Sequence, residues 1–229
     1  MNGKTIKKIM TFFAISLFLS TASYAAEEEK SRFSVDIGYG TLSPNDKSGE
    51  VSGPGLPPNN SVDIKSSSSI AMTVNYYQNE NISYQLYIAP PIDFDIHASG
   101  SLTGMGHLST VDVLLPTAVV NYTFNNFGDF KPYVGAGVNY SIFSGEKSTA
   151  VLEGALGGPT DVQLKNSFGI ALQAGVRFNF NKHWYLNANY LWIDVDSTAS
   201  IDTAAVDTKR SVDLKIDPSV FYFSLGYKF

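Results

Sequence analysis

Three histidines come first, because most side-chain chemistry needs a base. His97 and His107 flank the stretch 98–107, with Asp93 and Asp95 just before it. Imidazoles beside carboxylates are the parts of a base–acid pair or of a metal cluster. Catalysis also needs a nucleophile within hydrogen-bond reach. The spacing of these four residues matches no catalytic or metal-binding motif, and there is no cysteine. The residues therefore predict no enzyme, no metal and no cofactor. His183 lies in a short turn among aromatic residues and reads as an interface residue. Arg177 falls on the polar face of a strand pattern, with no charge partner near it in sequence, whereas buried charges are usually paired. Asp36, on the inward face of another strand, is a candidate partner across the interior. A solvated arginine in a wet interior is the plainer reading.

The elements that would hold these residues are strands. In NSFGIALQAGVRFNF, Phe168, Ile170, Leu172, Ala174, Val176, Phe178 and Phe180 share one face, and Gly169, Ala171, Gln173, Gly175, Arg177 and Asn179 share the other. A two-residue period keeps such sets apart, where a helix would mix them. KPYVGAGVNYSIF repeats the scheme, with Gly135 and Gly137 on its inward list, where glycine leaves room for side chains opposite. Similar patterns near 31–42, 67–78, 82–97, 108–124, 184–197 and 211–229 bring the total to eight strands.

The connections alternate in length. Residues 43–66, 98–107, 144–166 and 198–210 are long and rich in Gly, Pro, Ser, Asp and Thr, while 79–81, 125–130 and 181–183 are short. Eight strands, short turns at one rim and long loops at the other describe an all-β fold: an eight-stranded antiparallel transmembrane β-barrel with short periplasmic turns and long extracellular loops. Closed barrels and helices alone satisfy their backbone in lipid. No segment after the N-terminus has 18 consecutive apolar residues, so strands must do the crossing. Aromatics gather near the short-turn rim, at Tyr122, Phe124, Phe178, Phe180, Trp184, Tyr185, Tyr227 and Phe229, as a lipid–water girdle requires.

The N-terminus explains how such a chain leaves the cytoplasm. Lys4, Lys7 and Lys8 precede an apolar run, and Ser23-Tyr24-Ala25 closes it with small residues. These are the parts of a secretory signal peptide. Residues 1–25 are expected to be removed, leaving 26–229 as one barrel domain. Loss of three lysines takes the formal charge from −5 to −8, which argues against nucleic-acid binding.

The interior of an eight-stranded barrel admits side chains or one small ligand. Near the short turns its inward list is Gly, Asn, Gln, Ser and Arg. Toward the long loops the same parity gives Leu42, Val111, Val113, Leu115, Leu191, Ile193 and Val195, an apolar upper lumen over a polar floor. A β-bulge would flip the phase and put these residues on lipid instead. Pro116 marks local irregularity, since proline cannot donate to a ladder, and is a candidate site for lateral opening.

Three stretches carry a family likeness: KPYVGAGVNYSIF, SFGIALQAGVRFNFNKHWYLNANYLWIDVDSTA and KIDPSVFYFSLGYKF. The chain resembles the OmpW family of small outer-membrane proteins, most closely over 131–229. HLSTVDVLLPTAVVNYTF and the first strand match more loosely. The resemblance implies a porin-like, Gram-negative outer-membrane barrel with a hydrophobic interior that passes small hydrophobic solutes. It also implies that the closing Phe221, Phe223, Tyr227 and Phe229 serve as a signal for the barrel-assembly machinery, an ending shared by most bacterial outer-membrane barrels. Two other readings stay open. One is a structural or adhesive barrel with a plugged lumen, a receptor for phage or bacteriocin through loops such as EVSGPGLPPNNSVD, with Ala150 to Leu156 as a short helix over the mouth. The other is an enzyme that modifies lipid A.

Overall fold

The computed structural model describes residues 32–45, 47–48, 59–203 and 208–229. The expected signal at 1–25 and most of the loop EVSGPGLPPNNSVD lie outside them. Among the described residues there are fifteen strands: β1 Phe33–Ser43, β2 Lys47–Ser48, β3 Asn60–Ile64, β4 Ser67–Tyr77, β5 Ile82–Ile88, β6 Ile92–Gly100, β7 His107–Leu114, β8 Thr117–Thr123, β9 Phe130–Ser148, β10 Thr160–Leu164, β11 Ser167–Asn179, β12 Trp184–Ile193, β13 Asp196–Thr203, β14 Thr208–Lys215 and β15 Ser219–Lys228.

Eight of them close a barrel. The order runs β11-β12-β15-β1-β4-β5-β8-β9, and β9 pairs back onto β11. Every neighbouring pair is antiparallel. The first and last strands meet, with Phe229 N donating to Phe33 O (3.1 Å). Closure joins the first strand to the last, so the eight-stranded wall has no free sheet edge along its paired segments.

Alternation sets the two faces. Phe168, Ile170 and Leu172 on β11, Ile37 and Tyr39 on β1, Val134 and Val138 on β9 and Phe221, Phe223 and Leu225 on β15 are all exposed. An apolar band of this extent is not tolerated in water. It is the surface a bilayer solvates. No helix among the described residues is long and apolar enough to cross a membrane.

The short turns are built by one device used twice. Asn79 Oδ1 accepts from the backbone N–H of Asn81 (2.9 Å) and Ile82 (2.8 Å). Asn181 Oδ1 does the same for His183 and Trp184, both at 2.9 Å. An asparagine side chain thereby imitates a backbone turn.

The long connections are more ordered than their composition suggests. The barrel walls continue into them as two flaps. One is β3-β6-β7 carried on the upper half of β9; the other is the separate four-stranded sheet β10-β13-β14-β2. One helix, α1 at Ala150–Leu156, joins them. Thr149 Oγ1 caps it by accepting from Leu152 N (3.3 Å), and Gly157 ends it in a left-handed conformation (φ 92°). Leu152 and Leu156 pack on Leu108, Ala98 and Val162, a small core of its own at the loop end.

Candidate functional site

The interior divides by height. Toward the long loops lies an apolar chamber lined by Leu42, Ile64, Phe94, Ile96, Val111, Val113, Leu115, Phe143, Leu164, Val195, Ile216 and Pro218, with a volume of about 30 Å³. Every lining residue is apolar. Leu42, Val111, Val113 and Val195 are buried and Leu115 is half-buried. Leu191 and Ile193 belong to the same packed cluster but stand lower, with Tyr87 and Tyr222 beneath the chamber. The room itself is that of one or two waters, so a larger guest must displace side chains.

Below lies a floor of buried polar groups joined across the lumen. Gln173 Nε2 donates to Gln85 Oε1 (2.8 Å), and Asn121 Nδ2 donates to the same oxygen (3.1 Å). Tyr87 Oη donates to Gln173 Oε1 (2.6 Å) and accepts from Asn189 Nδ2 (2.8 Å). Tyr133 Oη donates to Asn187 Oδ1 (2.8 Å). One layer further down, Tyr185 donates to Asp36 Oδ1, which also accepts from Asn75 Nδ2 (3.2 Å). Glycine makes the room. A Cβ on Gly226 would stand 2.2 Å from Cζ of Tyr185, and one on Gly175 would stand 2.6 Å from Cζ of Tyr133.

Tyr185 corrects an expectation. It was assigned to the outer girdle with Trp184, yet it is 3% exposed and turned inward. The Trp184 side chain faces outward, so by strand alternation its neighbour faces the lumen. Asp36 and Arg177 correct another. Both are buried, but they form no ion pair within 4 Å. Asp36 takes its hydrogen bonds from Tyr185 and Asn75, and Arg177 Cζ lies over the rings of Tyr133 (4.6 Å) and Tyr77 (5.4 Å).

Between chamber and floor the walls are interrupted. Seven of the eight wall strands break at the same height, at 44–45, 65–66, 89–91, 115–116, 165–166, 194–195 and 216–218; β9 runs through. Pro116 occupies one break. Its carbonyl accepts from Tyr140 N (3.1 Å), so its β9 side stays joined. The longest unpaired stretch lies elsewhere. β4 pairs with β5 up to Met72↔Ile88, and β3 pairs with β6 from Ile64↔Ile96. Between those pairs the two ladders do not meet, apart from Lys65 N donating to Asp95 O (3.1 Å). Pro90 and Pro91 sit in that stretch. The chamber-lining Ile64 and Phe94 flank it.

These breaks explain which lining residues sequence parity does not reveal. Ser83, Gln85 and Tyr87 point inward at odd positions, yet above Pro90-Pro91 the buried residues are Phe94 and Ala98. The phase flips there, and again between Ile64 and Ala71 and between Leu164 and Ser167. It does not flip at Pro116, where Val113 and Thr117 keep one parity. Proline pairs in sequence signal such a flip without fixing its direction.

The histidine group is brought together on the outer face of the long-loop flap. His97 and His107 are register partners with ring centroids 5.4 Å apart. His107 Nε2 lies 3.4 Å from Asp95 Oδ1 and 3.1 Å from Thr110 Oγ1. Asp93 stands two pairs lower, opposite Asp112. His183 is exposed at the short-turn rim and stacks on Tyr227 (5.6 Å). Among the described residues the carboxylates arranged for a metal are Asp194, Asp196 and Asp217. Lys215 Nζ already answers them, 3.5 Å from Asp217 and 3.8 Å from Asp196. Asp217 foremost, then Asp196, raises the Lys215 pKa above its ordinary value.

Comparison with known proteins places this geometry. The model of the OmpW family matches residues 29–229. Outer membrane protein W of Vibrio cholerae serotype O1 is 33% identical over 226 residues, covering 98% of this chain and all of that protein. The dibenzothiophene metabolism operon protein PahQ of Pseudomonas aeruginosa is 21% identical over 172 residues, 75% of this chain and 76% of that protein. The crystal structure of the outer membrane protein OprG from Pseudomonas aeruginosa superimposes with a TM-score of 0.79 at 28% identity, covering 88% of this chain and 97% of that one.

Proposed function

This chain belongs to the OmpW family of Gram-negative outer-membrane barrels, and on that premise we propose that it passes small hydrophobic molecules from the exterior into the bilayer. The single observation that carries the reading is the chamber lined only by apolar residues directly above a floor of hydrogen-bonded polar ones. An apolar solute entering the chamber gains roughly 25 cal/mol per Å² buried. Descent through the floor would break buried hydrogen bonds, each costing about 1–3 kcal/mol when a partner is left unsatisfied. Sideways exit avoids that cost. The wall between β4 and β5–β6, where the ladders part beside Phe94, is the favoured opening in this reading, with the break at Pro116 as its neighbour on the next strand. A relative encoded for dibenzothiophene metabolism is consistent with an aromatic, apolar cargo.

In this reading the barrel is not an enzyme. The His97–His107–Asp95 group lies outside the chamber, and the hydroxyl beside it, Thr110 Oγ1, already donates to Asp95 Oδ1 (2.9 Å). The terminal Phe221, Phe223, Tyr227 and Phe229 serve the assembly machinery; a Phe229→Ala chain should insert more slowly while the finished barrel keeps its stability, because Phe229 is half-exposed.

The small chamber volume favours one competing reading, a plugged barrel acting only as a surface receptor. Proteoliposomes separate the two. Uptake of an apolar fluorophore should be faster than into protein-free vesicles and should fall in Leu191→Asp. A rate equal to protein-free vesicles would leave the receptor reading standing and end the transport one.

A further inference from the structure

At the opposite end from the chamber, the floor keeps a cation whose donors are not used by the protein. Arg177 projects inward from β11 and is 5% exposed. Its Nε and Nη2 are buried and donate to no group among the described residues. Those two nitrogens share one edge of the guanidinium, and that edge grips two oxygens of a carboxylate or phosphate side by side. The flat face is already taken, with the rings of Tyr133 and Tyr77 at 4.6 Å and 5.4 Å. What remains free is the part of arginine suited to an oxyanion.

Further cations share the place. Lys228 Nζ lies 4.6 Å from the centroid of the same Tyr77 ring. Lys131 is the register partner of Arg177 on β9, with its ammonium donating to Asn125 O in the adjoining turn (3.3 Å). All three sit within a few residues of the short-turn rim. The acidic group on the inward face at this level is Asp36. Its Oδ1 is committed to Tyr185 and Asn75, and its Oδ2 has no partner and no ion pair with Arg177. Leaving a guanidinium buried without an acceptor is unfavourable, and a second ammonium on the same ring adds repulsion.

We propose that the periplasmic end of the barrel is a binding site for a small oxyanion, a phosphate or a carboxylate, held by the Nε–Nη2 edge of Arg177 with Lys228 supplying a second charge. Arg177 lies near the short-turn end of β11, so in this proposal the anion enters from the periplasmic rim, and the side chains covering the buried Nε and Nη2 must give way to admit it; its source is either a free anion or the phosphate of an inner-leaflet lipid. Asp36 lowers the affinity by like charge. The site is independent of solute passage, being separated from the chamber by the polar floor.

The chain has three arginines, so the arginine Nε–H region of its NMR spectrum can be assigned directly. The full barrel in an uncharged maltoside detergent is titrated with inorganic phosphate, and in a parallel arm with short-chain phosphatidylglycerol. The Arg177 Nε signal should shift saturably. Lys228→Gln should weaken binding about threefold. Asp36→Asn should tighten it by a similar factor. Arg177→Lys, which keeps the charge and loses the fork, should weaken the Lys228-dependent binding about tenfold, read from the Lys228 ammonium. Response to free phosphate assigns the site to a soluble anion; response to the lipid alone assigns it to a headgroup. No saturable shift with either, or a shift unchanged in Lys228→Gln, overturns the proposal. Lys228→Gln is half-exposed and terminal, so it tests the site even where an Arg177 variant does not fold.

Discussion

A carboxylate in the chamber should all but stop uptake. Val113 is 6% exposed and lines the chamber, in register between Ile92 of β6 and Phe143 of β9. Replacing its methyl groups with a carboxylate removes about 1.5 kcal/mol of apolar contact from a bound solute. The solute must also strip water from an ionised group, which costs at least about 2 kcal/mol more. The sum, about 3.5 kcal/mol, corresponds to a chamber occupancy lower by roughly 300-fold at about 1.4 kcal/mol per tenfold. Below saturation, the initial rate of uptake follows occupancy. Proteoliposomes carrying Val113→Asp should therefore take up an apolar fluorophore at a rate close to that of protein-free vesicles, and Val113→Thr, with its small neutral dipole, should fall between. Resistance of the barrel to protease checks that the variant is folded. A folded Val113→Asp barrel with the wild-type rate would refute the assignment of this chamber as the solute's path.

Three other expectations concern the frame. Tyr185→Phe removes the hydroxyl that donates to Asp36 and accepts from Ser34 Oγ, so urea unfolding in detergent should show a loss of about 1–3 kcal/mol. Gly226→Ala puts a methyl 2.2 Å from Tyr185 Cζ and 2.7 Å from Asp36 Oδ1; it should cost about 1–3 kcal/mol by overpacking, and combining it with Tyr185→Phe should be less than additive, since both disturb one contact. The Lys215 pKa is raised by Asp217 and Asp196, so its pairing is complete below the ordinary lysine value and is lost only as pH rises through the raised one. Lysine Nζ–Cε NMR should show Lys215 titrating above the ordinary lysine value, and a titration at or below that value would contradict the cluster.

Much of this protein is local and therefore legible in the chain itself. A strand turns each side chain through half a revolution, so eight alternating runs announce eight two-faced strands wherever they end up. The same logic places Phe168, Ile170 and Leu172 outside and Gln173 and Arg177 inside. Even α1 could be read from Ala150–Leu156, because an apolar stretch between a capping threonine and a glycine pair is a helix signal. The long connections misled in the other direction: their Ser, Thr and Asp read as loop, and the flap strands β3, β10 and most of β13 exist because neighbouring strands supply ladder partners that composition does not show.

What only the tertiary structure decided is everything that depends on phase across a break. Alternation propagates inside or outside only while the ladder is continuous, and the interruptions at 65–66, 89–91 and 165–166 reset it. That is why Phe94, Ile96 and Leu164 join the chamber without any local sign of it. It also decided which rings turn inward, since Tyr133 and Tyr185 fit only where Gly175 and Gly226 stand across from them. Partnership in the floor is likewise non-local: Asp36 lies 149 positions from Tyr185 in the chain, and only closure of β15 onto β1 brings the two strands close enough for one hydroxyl to reach one carboxylate.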